Sequence, residues 1–121
     1  MADICDFSVD QGSDFSVSVQ ILDALDEPLD LTGCTAAMDV RKSFRGEAFL
    51  SLSSDADGGL VIDPDTGTID ITITHEQSTG LPYGLFLYDL EVTFPDNTVW
   101  RVIEGKLHNR PEVTWTQEDQ P

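Results

Sequence analysis

Phe86-Leu87-Tyr88-Asp89-Leu90-Glu91-Val92-Thr93-Phe94 places a large apolar side chain at every even position. In an extended strand successive side chains point to opposite faces, so this period of two puts Phe86, Tyr88, Leu90, Val92 and Phe94 on one face of a sheet. Leu87 makes the first half of the run apolar at both phases, which predicts a central strand covered on both sides near its start. Two further runs read the same way. Phe15, Val17, Val19 and Ile21 alternate with Ser16, Ser18 and Gln20, and Ile69, Ile71 and Ile73 alternate with Asp70, Thr72 and Thr74. Phe15, Ile71 and Tyr88 are therefore expected in the core.

Working outward, turn chemistry separates the runs. Ala24-Leu25-Asp26-Glu27-Pro28 closes a hairpin towards Leu29. Asp57-Gly58-Gly59 and Asp63-Pro64-Asp65-Thr66-Gly67 bracket a short strand at Leu60–Ile62, and Pro95-Asp96-Asn97-Thr98 leads into Val99. Glycine supplies positive φ, proline pre-sets φ near −65°, and Asp or Asn caps the turn with its side chain. Short strands at such spacing predict an all-β fold, an antiparallel β-sandwich of about seven or eight strands, immunoglobulin-like or jelly-roll-like. One short helix is expected at Thr74–Gly80, which opens on a capping residue and ends in glycine. The 121 residues form a single domain, with its core at about 4–107 and a C-terminal arm at about 108–121.

Six Lys plus Arg against 23 Asp plus Glu give a net charge of −17. Such a surface repels phosphate backbones and anionic headgroups, which excludes nucleic-acid and membrane-surface partners. No apolar run is long enough to span a bilayer, and the N-terminus lacks the basic and apolar regions of a signal peptide, so the chain is expected in a cytosol. Cys5 and Cys34 are then free thiols.

Catalysis finds little support. His75 and His108 are the two histidines, and neither sits in a nucleophile motif, so the chain is read as a non-enzyme. Asp63, Asp65 and Asp70 space carboxylates around Gly67 in the manner of a weak calcium loop. Pro64 and the missing closing Glu favour an ordinary turn, and no cofactor is expected. The basic residues are more informative. Arg41, Lys42 and Arg45 crowd together with Phe44, a combination suited to a protein–protein contact. Val113 and Trp115 add a second candidate contact, where Trp115 falls at no evident core position.

Several phrases together resemble a known family. They are Gln11-Gly12-Ser13-Asp14-Phe15, then Pro28-Leu29-Asp30-Leu31-Thr32-Gly33-Cys34, Met38-Asp39-Val40-Arg41-Lys42-Ser43, Gly67-Thr68-Ile69-Asp70, Tyr88-Asp89-Leu90-Glu91-Val92 and Arg101-Val102-Ile103-Glu104-Gly105. In that order they are similar to small virion proteins of tailed bacteriophages, in particular the N-terminal β-sandwich domain of baseplate upper proteins. The resemblance implies a module that joins baseplate, tail or fibre subunits, works in the virion after assembly in the host cytoplasm, and binds other virion proteins. Self-association in a symmetric assembly is left open. Ending at Pro121 without a trimerising coil or receptor-binding head suggests a free-standing adaptor. Two alternatives stand beside it, a head-decoration protein and a carbohydrate-binding β-sandwich. The latter would need a platform from Tyr83, Trp100 and Trp115.

Overall fold

A computed structural model describes residues 3–43 and 45–111. The chain runs β1 (Asp3–Ile4), β2 (Phe7–Asp10), β3 (Phe15–Gln20), β4 (Thr35–Arg41), β5 (Ala48–Ser53), β6 (Leu60–Asp63), β7 (Thr68–Ile73), α1 (His75–Gly80), β8 (Gly84–Thr93) and β9 (Val99–Arg110). The alternating runs become strands because each offers one continuous apolar face. A sheet can bury such a face only against a second layer. Here the larger sheet has the order β1-β9-β8-β4-β5, with β2 also on β9, and the smaller has the order β3-β7-β6. Met38, Val40, Leu90, Val92 and Leu107 from the first sheet meet Leu60, Ile69, Ile71 and Ile73 from the second in one core. The protein is a β-sandwich. The order β3-β7-β6 facing β9-β8-β4-β5 matches the B-E-D and G-F-C-C′ arrangement of immunoglobulin-like domains. It lacks their inter-sheet disulfide, since Cys5 and Cys34 are both free.

The first strands depart from the antiparallel expectation. β1 and β2 run parallel to β9, with Ile4 beside Glu104, Phe7 beside Leu107 and Asp10 beside Arg110. Between them the chain jogs at Cys5-Asp6, and side chains fill the gap in the ladder. The Cys5 amide donates to the Glu104 carbonyl at 2.9 Å, and the Lys106 amide donates to Asp6 Oδ1 at 2.9 Å. The Tyr88 hydroxyl donates to the Cys5 carbonyl. Gly105 lies directly beneath this jog, where a Cβ would collide with the Cys5 carbonyl. Glycine is required there by close backbone approach.

Burial follows the alternation with two corrections. Ile71 and Tyr88 are buried, as expected, but Phe15, Val17 and Val19 are only half-buried because β3 is the outer strand of the smaller sheet. The solvent face of β8 is not covered near its start, since Leu85 is 53% exposed and Leu87 half-buried. The C-terminal boundary also shifts. His108, Asn109 and Arg110 are the end of β9 rather than an arm, and Asn109 is fully buried.

Strand direction divides the molecule into two ends. At the turn end lie segments 21–34, 54–59, 63–67 and 94–98; the Ile21 amide donates to the Gly67 carbonyl at 2.8 Å, and Pro95 abuts Gly33. At the helix end lie segments 11–14, 42–47 and 74–83 with the last residues of β9. Here Thr74 caps α1. Its hydroxyl accepts the Gln77 amide at 3.2 Å while Gln77 Oε1 accepts the Thr74 amide at 2.9 Å, a reciprocal capping box. Buried Ser78 accepts the Gly12 amide at 3.0 Å and donates to the Ser13 carbonyl at 3.1 Å, stitching α1 to the β2–β3 turn.

Candidate functional site

The β4–β5 loop at the helix end holds the basic residues singled out in the sequence. Their roles divide. Arg41 is half-buried and turned back on its own hairpin; it donates to the Gly46 carbonyl and pairs with Asp39 at 2.8 Å. That fixes the loop and removes Arg41 from the contact surface. Lys42 and Arg45 are exposed and make no ion pair among the described residues. Phe44 lies outside the described residues, as do Val113 and Trp115.

Lys42 is organised by an aromatic pair. Its ammonium sits 4.4 Å from the centroid of buried Phe86, a cation–π contact that attracts the charge to the ring face. Phe49 meets Phe86 edge-on, with centroids 5.4 Å apart at 70°. A register shift between Val40 and Arg41 pairs Arg41 with Ala48, so Phe49 falls out of the strand alternation. It is left 50% exposed. Gly84 adopts φ +129°, and a Cβ there would press on Lys42 Nζ at 3.1 Å. Beside it Tyr83 is 66% exposed, followed by Leu85. Phe49 is thus exposed beside Phe86 and Lys42, Tyr83 and Leu85 flank Gly84 in the chain, and Arg45 lies in the β4–β5 loop at the same end of the sandwich. Sequence reading named Lys42 and Arg45. It missed Phe49, whose signal was two successive large side chains, Phe49-Leu50, breaking the period of two.

The other candidates are dispersed. Asp63 accepts the Asp65 amide at 3.2 Å, as a turn aspartate does, and Asp70 accepts the Ser18 hydroxyl across β3–β7. Among the described residues no group of three or more His, Cys, Asp or Glu is placed to hold a metal ion. His75 Nδ1 lies 2.9 Å from Asp14 Oδ1, and among the described residues no hydroxyl or thiol is hydrogen-bonded to the His75 ring; the Ser78 hydroxyl donates to the His75 carbonyl instead. His108 is exposed beside Leu85. Cys34 is half-buried at the turn end; burial, then Asp30 and Asp96, push its thiol pKa up, which makes it a poor nucleophile. Tyr83 is at the helix end, whereas Trp100 is at the turn end packed on Phe94 at 4.9 Å. These two aromatics form no joint platform for a sugar.

No family model matches the chain, and no curated protein matches it. Among solved structures the chain is similar to extracellular domains 3–5 of Drosophila OTK, at 14% identity and a TM-score of 0.38, over 86% of this chain and 32% of that one. The chain therefore spans about a third of that structure's length.

Proposed function

We propose that this chain is a protein-binding β-sandwich module of a tailed-bacteriophage virion, a baseplate or tail-fibre adaptor that docks through its helix end. One observation carries the docking part: Phe49, Tyr83 and Leu85 stand exposed at the same end of the sandwich as the exposed Lys42 and Arg45, in a chain of net charge −17. Aromatics beside Arg or Lys are enriched where binding energy concentrates, because they combine apolar burial with directed charge. The resemblance to baseplate upper proteins supports the virion setting. The dispersed carboxylates, and a His75–Asp14 pair without a hydroxyl or thiol on its ring among the described residues, support binding rather than chemistry.

The test is fractionation of tailed particles released from cells carrying the gene. The chain is expected to sediment with intact particles and to withstand washing in salt. Recovery solely from the soluble fraction, with particles complete without it, would contradict the reading.

A further inference from the structure

We infer that copies of this chain associate head to tail, the helix end of one copy seated on the turn end of the next. The inference rests on the helix end being a contact surface and names its partner as a second copy. The observation behind it is the sorting of charge along the strands. The four turn-end segments carry nine carboxylates, from Asp23 to Asp96, and no Lys, Arg or His. Four of the six Lys and Arg residues, Arg41, Lys42, Arg45 and Arg110, lie at the helix end beside Asp14, Glu47 and Glu76. Arg41 is engaged by Asp39 at 2.8 Å and Arg110 by Asp10 at 3.7 Å, which leaves Lys42 and Arg45 to meet a partner. The other two sit along β9, where Arg101 is engaged by Asp89 at 3.3 Å and Glu104 at 3.6 Å.

Apolar exposure is matched to this sorting. The helix end offers Phe49, Tyr83 and Leu85, and the turn end offers Leu25, 78% exposed, with Leu22, Val99 and Trp100. The turn end is an apolar patch among carboxylates alone, and the helix end is one of mixed charge that includes Lys42 and Arg45. Two turn ends brought together would oppose carboxylate to carboxylate, which costs free energy at close range. The turn end of one copy against the helix end of another sets carboxylates against Lys42 and Arg45 and apolar against apolar. Such a contact is heterologous, since the two surfaces differ, and it generates a ring or an open row rather than a closed two-fold dimer. The net charge opposes encounter at low salt. At about 0.15 M salt its reach falls to roughly 8 Å, and pairs in direct contact remain.

The experiment uses the purified full chain alone in sedimentation velocity at about 0.15 M salt, from micromolar to millimolar concentration. Two helix-end variants are made, Lys42→Glu with Arg45→Glu, and separately Tyr83→Ser, so that the result does not hang on the Lys42–Phe86 contact. The turn-end variant is Leu25→Ser with Glu27→Lys. All change exposed side chains, and thermal melting confirms that each is folded. The wild-type chain is expected to form species larger than a dimer as concentration rises, and every variant alone to stay monomeric. Mixing a helix-end variant with the turn-end variant should restore association and stop at one-to-one pairs, because each partner keeps one intact end. A wild type that is monomeric throughout, a variant that associates as the wild type does, or a mixture that stays monomeric overturns the inference. Particle incorporation is a separate measurement, so a monomer here would sink the self-contact and leave the module reading to its own test.

Discussion

Asn109 shows how one side chain can hold an end of the molecule together. It is fully buried on β9, and its Nδ2 donates to the carbonyls of Leu81 at 2.9 Å and of Ser78 and Pro82 at 3.3 Å. Those carbonyls belong to the exit of α1, where helical partners run out. The link helps to place Gly84, which follows Tyr83, beside Lys42. Asn109→Asp would set a carboxylate against three carbonyl oxygens away from water. It should lower stability by about 3 kcal/mol in urea unfolding. A loss below about 0.5 kcal/mol, the level of an ordinary surface substitution, would contradict this account of the α1 exit. Exposed aspartates act through turns instead. Asp14 accepts the His75 amide at 2.6 Å and the His75 ring at 2.9 Å, and these contacts, the amide first, hold its carboxyl below the ordinary range. The Thr32 hydroxyl and amide do the same for Asp30, and the Thr98 amide for Asp96. A folded-state pKa below the unfolded one stabilises the protein above the unfolded pKa, and that contribution disappears as pH falls through the folded value. Carboxyl titration by NMR should find Asp14, Asp30 and Asp96 below the ordinary aspartate midpoint. Midpoints at or above it would mean that the turns are not capped in solution.

At the scale of elements, position in the sheet decides what a repeated pattern is worth. β3 and β7 share the same alternation, yet Ile71 is completely buried on central β7 while Phe15 on outer β3 is covered only in part, by neighbours such as Phe7 at 5.8 Å. Ile71→Ala should cost roughly 2–5 kcal/mol, and Phe15→Ala less than a fully buried Phe would. Chemical denaturation of the two variants checks the order, and a larger loss at Phe15 would reverse the assignment of outer and central strand. The same logic explains what the sequence could and could not reveal. Period two identifies the buried face of β7 and β8, because that face is set within the strand itself. It does not identify a strand's neighbours. β1 and β2 were invisible because they are short, broken at Cys5-Asp6, and paired with β9 about a hundred residues away. The capping residue made α1 legible, since that signal is local; the expected glycine stop did not act as one, because Gly80 is the last helical residue and the cap falls on Leu81 in extended backbone. Phe49 was hidden by the register shift at Arg41, a feature of the pairing rather than of the pattern. At the contact surface, the charges of Lys42 and Arg45 could be read in advance, but their aromatic setting arises only when β4, β5 and β8 come together.

For the whole molecule the governing quantity is where its charge lies. A net charge of −17 favours solubility and opposes encounter of copies at low salt, and the sandwich confines most of its cations to the helix end. Contacts made there are selective, because acidic residues dominate the remainder of the surface. Lys42, Arg45 and Tyr83 contribute little to folding by this account, as all three are exposed. The direct measurement is competition between wild-type chain and the Lys42→Glu, Arg45→Glu, Tyr83→Ser variant for incorporation into tailed particles, with melting temperatures recorded alongside. The account predicts a variant that melts within a few degrees of wild type and is depleted at least tenfold from particles, the ratio that loss of about 1.4 kcal/mol of contact free energy produces. Equal incorporation of a folded variant would contradict it.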